Sequence, residues 1–538
     1  MYTVQLTESF FPAQSDAPFR ARTIASLLDE QAREDGERLA LREILPDGRM
    51  GREWTYAQLR QDAMRLGRAL AQRHPRGARI AVFADNRPEW VLLELAAGLA
   101  GLTLVTVNPS FGARELTYVL KQSQAEAIYH VESVRGSQLG PIVAQARAEA
   151  RAVTRAILLT DHAALFDGEN EGALRETAPE DVVQIQYTSG TTGFPKGALL
   201  HQKGLIQSGI DILARDDVGP GTRVLHHMPL FHSAGCAILV LGSFGRGATV
   251  LLAPGFDPVM LVDVIERERP QFIGGVPTMM VALMEAAEKG QRDLTCVQNI
   301  LSGGSMVAPE LVRKARAVFG APIQIIYGQT EASPGITGAW AHDSDDDLAG
   351  TIGQPYPHID VSIRDPATNT VLPIGAQGEI CCRGFNVMSG YNDNPEASAA
   401  AIDSDGWLHT GDLGTMDARG YLKITGRVKE MIIRGGENLF PAEIENALLE
   451  HPDLLEVAVV GVPDERWGEQ VACFMRPRGA ARPSPGELKA FIRERLSPQK
   501  TPAYWIWVDA WPLTGSGKIQ KFALRDAFEQ GAHQALTA

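Results

Sequence analysis

What most constrains this chain is a regular alternation, over its first two-thirds, of short apolar runs with longer helix-like stretches. Ala78–Phe83 reads as a strand; Asn86 is placed to cap a helix that Pro88 opens, and the apolar run through Leu99 stops at Gly101. Leu102–Val107 then returns as a strand, and such a strand–helix–strand unit crosses over right-handed. Comparable strands recur at Ala127–Val131, Ala156–Thr160, Val182–Tyr187, Arg223–His227, Ala248–Ala253, Phe272–Gly275 and Gln324–Tyr327. The pattern predicts an α/β fold of parallel sheets covered by helices. After about Gly350 the texture changes. Asp360–Arg364, Gly378–Arg383 and Tyr421–Thr425 are short strands separated by turns such as Asp417-Ala418-Arg419-Gly420, which suits a small antiparallel or barrel-like region. Beyond Arg427 the chain reads as an α+β module: a helix over Pro441–Glu450, strands at Leu455–Val462 and Val471–Phe474, a helix over Glu487–Leu496 and a strand at Trp505–Val508. The expected division is a large N-terminal domain, 1–428, and a small C-terminal domain, 429–538.

Charge and composition narrow the function classes. Over 538 residues, 51 Lys+Arg against 65 Asp+Glu leave a net charge of −14, which argues against a partner held by nucleic-acid or lipid phosphates. Apolar runs such as Val91–Leu93 and Ala237–Leu241 break early, well short of the ~20 residues that span a bilayer. Met1–Arg20 lacks a basic region followed by an apolar core, so a cytoplasmic location is expected. The five cysteines, Cys236, Cys296, Cys381, Cys382 and Cys473, show no CxxC spacing and read as small buried residues rather than disulfide or zinc sites. No HExxH pattern occurs, and on a strand His226 and His227 would face opposite ways.

Five segments carry chemistry. Directly after the strand ending near Tyr187 comes Thr188-Ser189-Gly190-Thr191-Thr192-Gly193-Phe194-Pro195-Lys196-Gly197. Glycines let backbone N–H groups turn toward an anion, the hydroxyls add donors, and Lys196 supplies a point charge for phosphate. Phe194-Pro195 breaks the GxxxxGK[ST] spacing, so this is not a Walker A loop. Tyr327-Gly328-Gln329-Thr330-Glu331 places an aromatic, a hydroxyl and a carboxylate at another strand end. Together they suit a base, a phosphate and a hard cation, although a strand-end aromatic is more often simply core. In Trp407-Leu408-His409-Thr410-Gly411-Asp412 a carboxylate can accept from two ribose hydroxyls, or can serve only as a turn aspartate. Gly426-Arg427-Val428-Lys429-Glu430 with Arg434-Gly435-Gly436, and Thr514-Gly515-Ser516-Gly517-Lys518, complete the set.

In this order the five segments closely resemble the adenylate-forming superfamily of acyl-CoA synthetases, 4-coumarate–CoA ligases, luciferases and non-ribosomal adenylation domains, from about Thr23 to about Arg525. The resemblance implies an ATP-dependent acid–CoA ligase that makes an acyl-AMP, releases pyrophosphate and passes the acyl group to coenzyme A. It implies that Thr188, Ser189, Gly190, Thr191, Thr192, Gly193 and Lys196 close over the ATP phosphates. Gly303, Gly304 and Gly328 would help bind ATP/AMP, with Tyr327 stacked on adenine, Thr330 on the α-phosphate, Glu331 on Mg²⁺, and Asp412 on the ribose hydroxyls with Arg427 nearby. Lys518 would bridge the acid carboxylate and the α-phosphate. Lys429 takes the hinge position of a mobile lid, and Gly435 and Gly436 fall in the coenzyme A tunnel. His232 aligns with the gate between acid and adenylate sites, or is an ordinary core histidine.

Amino-acid-activating relatives carry an aspartate in the motif here written Pro229-Leu230-Phe231-His232-Ser233-Ala234-Gly235. This chain has no acidic residue from Met228 to Gly255, so an ammonium-bearing acid would bury an unpaired charge. The acid-pocket positions implied are His232, Ala234, Gly235, Ser302, Gly303, Gly304, Gly328, Pro334 and Gly335. Their small size and lack of Lys or Arg suit a roomy apolar cavity for one monocarboxylate. A medium-chain fatty acid is favoured over an aryl or ring-bearing acid. Loading of a carrier protein, luciferase-like monooxygenation and non-enzymatic nucleotide binding stay open as other classes. The small-molecule partners expected are thus ATP, Mg²⁺, coenzyme A and a carboxylic acid.

Overall fold

In the helix Pro88–Leu99 every residue is buried, because parallel strands on one side and the helix Tyr56–Arg73 on the other leave it no solvent face. The computed structural model describes residues 1–169, 173–188, 195–304, 307, 309–435, 437–513 and 519–536. The strands expected from the apolar runs form, most shifted at their ends by a residue or two; the one expected over Val471–Phe474 extends three residues further each way, as Gly468–Pro477.

A six-stranded sheet runs in the order Lys196–His201, Val182–Thr188, Thr103–Thr106, Arg79–Phe83, Ala127–His130, Arg155–Leu158. All of its pairings are parallel except the hairpin of Val182–Thr188 with Lys196–His201. A nine-stranded sheet has six parallel strands at its centre, from Ile323–Tyr327 through Arg223–His226 to Leu39–Ile44, and antiparallel strands at both edges. Helix Gln202–Arg215 packs against the π-helix Ala234–Gly242, so closely at Gly209 and Gly242 that neither position has room for a β-carbon. The next unit is antiparallel: Phe10–Phe11, Ile359–Arg364, Gly378–Gly384, Leu408–Met416 and Leu422–Arg427. The last sheet joins Glu437–Leu439, Ile432–Arg434, Gly468–Pro477 and Leu454–Asp464, with Tyr504–Trp507 parallel to Gly468–Pro477. Its two faces carry separate apolar cores, one around Ile444, Cys473 and Trp505, the other around Phe474, Ile506 and Leu524. This is a large N-terminal α/β domain with a smaller C-terminal one.

Two local expectations change. Helix Pro88–Leu99 is capped at Arg87 with no side-chain bond, while Asn86 does other work. Its amide donates to the carbonyls of Met228 (2.9 Å) and Ala253 (3.2 Å), and its oxygen accepts from the Leu230 N–H (2.9 Å). A buried amide satisfies three long-range main-chain groups more fully than one helix end requires. The cysteines also differ from a uniform buried set. Cys296 is half-buried, and Cys381 lies 3.5 Å from Nδ1 of His409, which also meets Glu379 at 2.8 Å. His226 and His227 are both fully buried, and burial pulls their pKa values to about 4 and about 3.

One buried acid makes a stability test. Glu94, 2% exposed, accepts from Gln184 Nε2 at 2.6 Å, and its Oε2 has no partner among the described residues. Burial holds this carboxyl well above the usual range, which favours its protonated form in the folded chain. A raised folded pKa gives stability that is full below the unfolded value and is lost as pH rises toward the folded one. The slope is at most about 1.4 kcal/mol per pH unit. Glu94→Gln is therefore expected to melt several degrees above the parent at pH 8, with the gap closing toward pH 5; thermal melts across that range check it.

Candidate active site

The strand ends of the nine-stranded sheet and the antiparallel sheet meet at one constellation. Tyr327 ends the parallel strand Ile323–Tyr327, is 6% exposed, and donates its hydroxyl to Oδ2 of Asp412 at 2.9 Å. Asp412 lies within the strand Leu408–Met416, directly opposite Arg427 in the antiparallel register, which sets Arg427 Nε 2.8 Å from Oδ1. Each carboxylate oxygen of Asp412 thus has one fixed donor. Burial and the Asp412 charge push the Tyr327 phenol well above its usual range, so it stays a donor; the same carboxylate raises Arg427.

A second group forms where the turn Thr330–Ala332 follows Tyr327. Oε1 of the buried Glu331 accepts from Tyr391 Oη at 2.8 Å and from Thr188 Oγ1 at 3.3 Å. Thr188 and Lys196 face each other at the loop end of their hairpin, and Nζ of Lys196 lies 4.9 Å from the Tyr391 ring centroid. The expected phosphate residues Thr188 and Lys196 therefore stand beside the expected cation residue Glu331. Ser189, Gly190, Thr191, Thr192 and Gly193 lie outside the described residues.

His232 is half-buried, and its Nδ1 accepts from the Ala234 N–H at 3.2 Å, which puts the ring proton on Nε2. The Met228–Phe231 segment leading to it is pinned by Asn86 and by Thr106, whose hydroxyl donates to the Phe231 carbonyl at 2.9 Å. The small acid-pocket residues have a different cause from the one expected. At Gly235, Gly303 and Gly328 a β-carbon would strike the carbonyls of Pro229, Ile326 and Pro334 respectively, so close backbone approach demands glycine there. At Gly304 a β-carbon would meet the Val276 side chain at an ordinary 3.7 Å, and it is the left-handed backbone (φ +77°) that favours glycine there. Ser302 is buried with an unpartnered hydroxyl among the described residues, and Pro334 and Gly335 are buried, with the Gly335 carbonyl held by Asn386.

Of the residues expected for the hinge and the coenzyme A tunnel, Lys429 and Gly435 fall among the described residues. Lys429 is exposed in the single turn Val428–Glu430 after Arg427. Behind it, Lys521 pairs with Glu430 and Glu445, both at 2.8 Å, and these two carboxylates outweigh burial to keep its charge. Gly435, at φ +60°, donates its N–H to the Trp467 carbonyl at 2.7 Å. Gly436 and Lys518 lie outside the described residues. Three positions escape the motif reading: Asn86, Tyr391 and Trp467. Tyr391 sits in a plain Ser389-Gly390-Tyr391-Asn392 turn, and only its spatial neighbours mark it.

A Tyr–Asp–Arg group and a carboxylate–hydroxyl–lysine group at neighbouring strand ends suit a nucleotide-dependent α/β enzyme, and the family itself is shown by comparison with known proteins. The AMP-binding enzyme model matches residues 28–392, and the AMP-binding enzyme C-terminal domain model matches 443–518. YngI of Bacillus subtilis, which bears an acyl-CoA synthetase name, is 36% identical over 94% of this chain and 96% of its own. The mitochondrial medium-chain acyl-CoA ligase ACSF2 of Rattus norvegicus is 32% identical over 97% of this chain and 90% of its own. ATP-bound MatB from Rhodopseudomonas palustris superposes with a TM-score of 0.85 at 27% identity, covering 94% of this chain and 99% of that one. The chain belongs to the adenylate-forming acyl-CoA synthetase family, whose members are AMP-forming acid–thiol ligases. Among the described residues no helix is long and apolar enough to cross a membrane.

Proposed function

We propose that this enzyme joins a hydrophobic monocarboxylic acid, with a medium-chain fatty acid the favoured substrate, to coenzyme A through an acyl-AMP. The observation that carries the reading is the Asp412 carboxylate, fixed by Tyr327 and Arg427 beside the Thr188–Glu331–Lys196 group. That arrangement suits a ribose and its phosphates in one cleft.

The carboxylate oxygen of the acid attacks the α-phosphate in line, and pyrophosphate leaves. Two anions must meet, so the chain contributes mainly orientation and positive charge. Lys196 would neutralise the outer phosphates, Thr330 would touch the α-phosphate, Asp412 would accept from the ribose hydroxyls, and Lys518 would lie between carboxylate and α-phosphate. Glu331 and Thr188 present hard oxygen donors, and side-chain hydrogen bonds to Glu331 end on Oε1 among the described residues, which fits Mg²⁺. When bound, Mg²⁺ supplies charge neutralisation on the phosphates. The lid would then turn at Lys429, withdrawing Lys518 and bringing in the Gly435-Gly436 loop for attack by the coenzyme A thiol on the acyl carbon, with AMP leaving. Next to that loop Trp467 is 38% exposed, with Arg434 at 5.2 Å and Arg466 at 5.1 Å from its ring, a cationic aromatic surface suited to a purine nucleotide.

The absence of acidic residues between Met228 and Gly255 supports rejection of amino acids, and the medium-chain ligase relatives support the chain-length preference. A coenzyme-A-dependent AMP-release screen over acids graded in length and ring content tests the reading. Turnover confined to C6–C12 fatty acids would support it, and turnover confined to aryl acids would move the assignment to ring-bearing substrates. A bulky Gly436→Phe change is expected to leave pyrophosphate release nearly intact and to cut thioester formation by roughly 100-fold or more; normal thioester formation would remove the tunnel assignment.

A further inference from the structure

Tyr391 stands between two groups that serve different parts of the nucleotide. Its hydroxyl donates to Oε1 of Glu331 at 2.8 Å, and Nζ of Lys196 lies 4.9 Å from its ring centroid. The ring is not placed by chance packing. Its own N–H donates to Ser398 Oγ at 2.8 Å, and it pairs with Ala198 across an antiparallel bridge. On one side the Asn392 N–H donates to the Gly197 carbonyl at 2.7 Å; on the other the Met388 N–H donates to the Glu331 carbonyl at 2.9 Å. The segment 388–392 is thereby sewn both to the strand leaving the phosphate loop and to the turn that carries Glu331.

We propose that Tyr391 is a positioning residue for adenylation: its hydroxyl pins Oε1 of Glu331 so that Oε2 is presented to the divalent cation, while its ring face seats Lys196 for the phosphates. The inference rests on the reading of Glu331 and Lys196 given above and extends it to a residue outside the motifs that carry that reading. A carboxylate on a soft rotor meets a metal in many orientations; a donor on its second oxygen removes most of them, and such outer hydrogen bonds govern metal affinity as strongly as 10–100-fold. No bond is made or broken by Tyr391 in the reaction.

The test uses the full-length enzyme with Mn²⁺ and a non-hydrolysable ATP analogue, reading bound Mn²⁺ by electron paramagnetic resonance. Tyr391→Phe keeps the ring and is expected to weaken Mn²⁺ binding about 10-fold. It is also expected to raise the Mg²⁺ needed for half-maximal ATP–pyrophosphate exchange by a similar factor, while thiolysis of supplied acyl-AMP is unchanged. Tyr391→Leu, which also loses the ring, is expected to raise KM for ATP further. Mn²⁺ affinity in Tyr391→Phe within twofold of the parent overturns the proposal. Glu331→Gln is the control. If it too leaves Mn²⁺ binding unchanged, the assignment of Glu331 fails; if it weakens binding while Tyr391→Phe does not, only the role of Tyr391 fails.

Discussion

Asp412→Ala is expected to lower kcat/KM for ATP in the adenylation step by roughly 100- to 1,000-fold, and to erase the preference for ATP over 2′-deoxy-ATP. The carboxylate is the one acceptor in the described constellation that is held by donors on both oxygens, from Tyr327 and from its cross-strand partner Arg427. A site built to accept from ribose hydroxyls discriminates strongly against a sugar lacking one, because the carboxylate then keeps an unused acceptor. Removing Asp412 also leaves the buried Tyr327 hydroxyl without its acceptor, an additional cost of about 1–3 kcal/mol in stability. Asp412→Asn should lose less of both. Pyrophosphate exchange with the two nucleotides, alongside a melt, separates the effects. An unchanged ATP to 2′-deoxy-ATP ratio in a folded Asp412→Ala protein would refute the ribose assignment.

The second large effect is a split between half-reactions. Lys518→Ala is expected to reduce acyl-AMP formation by roughly 100- to 1,000-fold, the scale seen when one preorganised donor to a developing charge is lost. Thiolysis of chemically supplied acyl-AMP should fall less than about threefold, since the lid would have carried this lysine away before the thiol arrives. Single-turnover assays of each half-reaction read the two rates. Equal losses in both would contradict the two-state lid. The contrast with Gly436→Phe, in which the thiolysis step suffers, makes the pair of variants a direct probe of which lid face serves which step.

Much of this was legible from residue order. Phosphate-binding loops need glycines, hydroxyls and a lysine close together in sequence, which is why the Thr188–Lys196 segment is proposed as one. The parallel strands declare themselves as well, since burial on both faces demands unbroken apolar runs such as Ile80–Phe83. Asp412 and Arg427 were expected as neighbours at the ribose only through the family resemblance. Their ion pair depends on an antiparallel register, which motif order does not specify. Asn86 misled because a helix start and a main-chain clamp ask for the same side chain. The small pocket residues misled for a related reason: glycine marks open space and backbone contact alike, and at Gly328 the carbonyl of Pro334 decides between them.

The sequence by itself determined the class of fold and the family and named the groups proposed to face ATP, because each depends on patterns only a few residues long or on their order along the chain. Only the tertiary structure decided how those groups lean on one another. Tyr391 reaches Glu331 across 60 residues and Asn86 reaches Leu230 across 144, through hydrogen bonds whose partners no local pattern can name. Their direction is set when separate sheets pack, and that packing turns a set of suitable side chains into an oriented site.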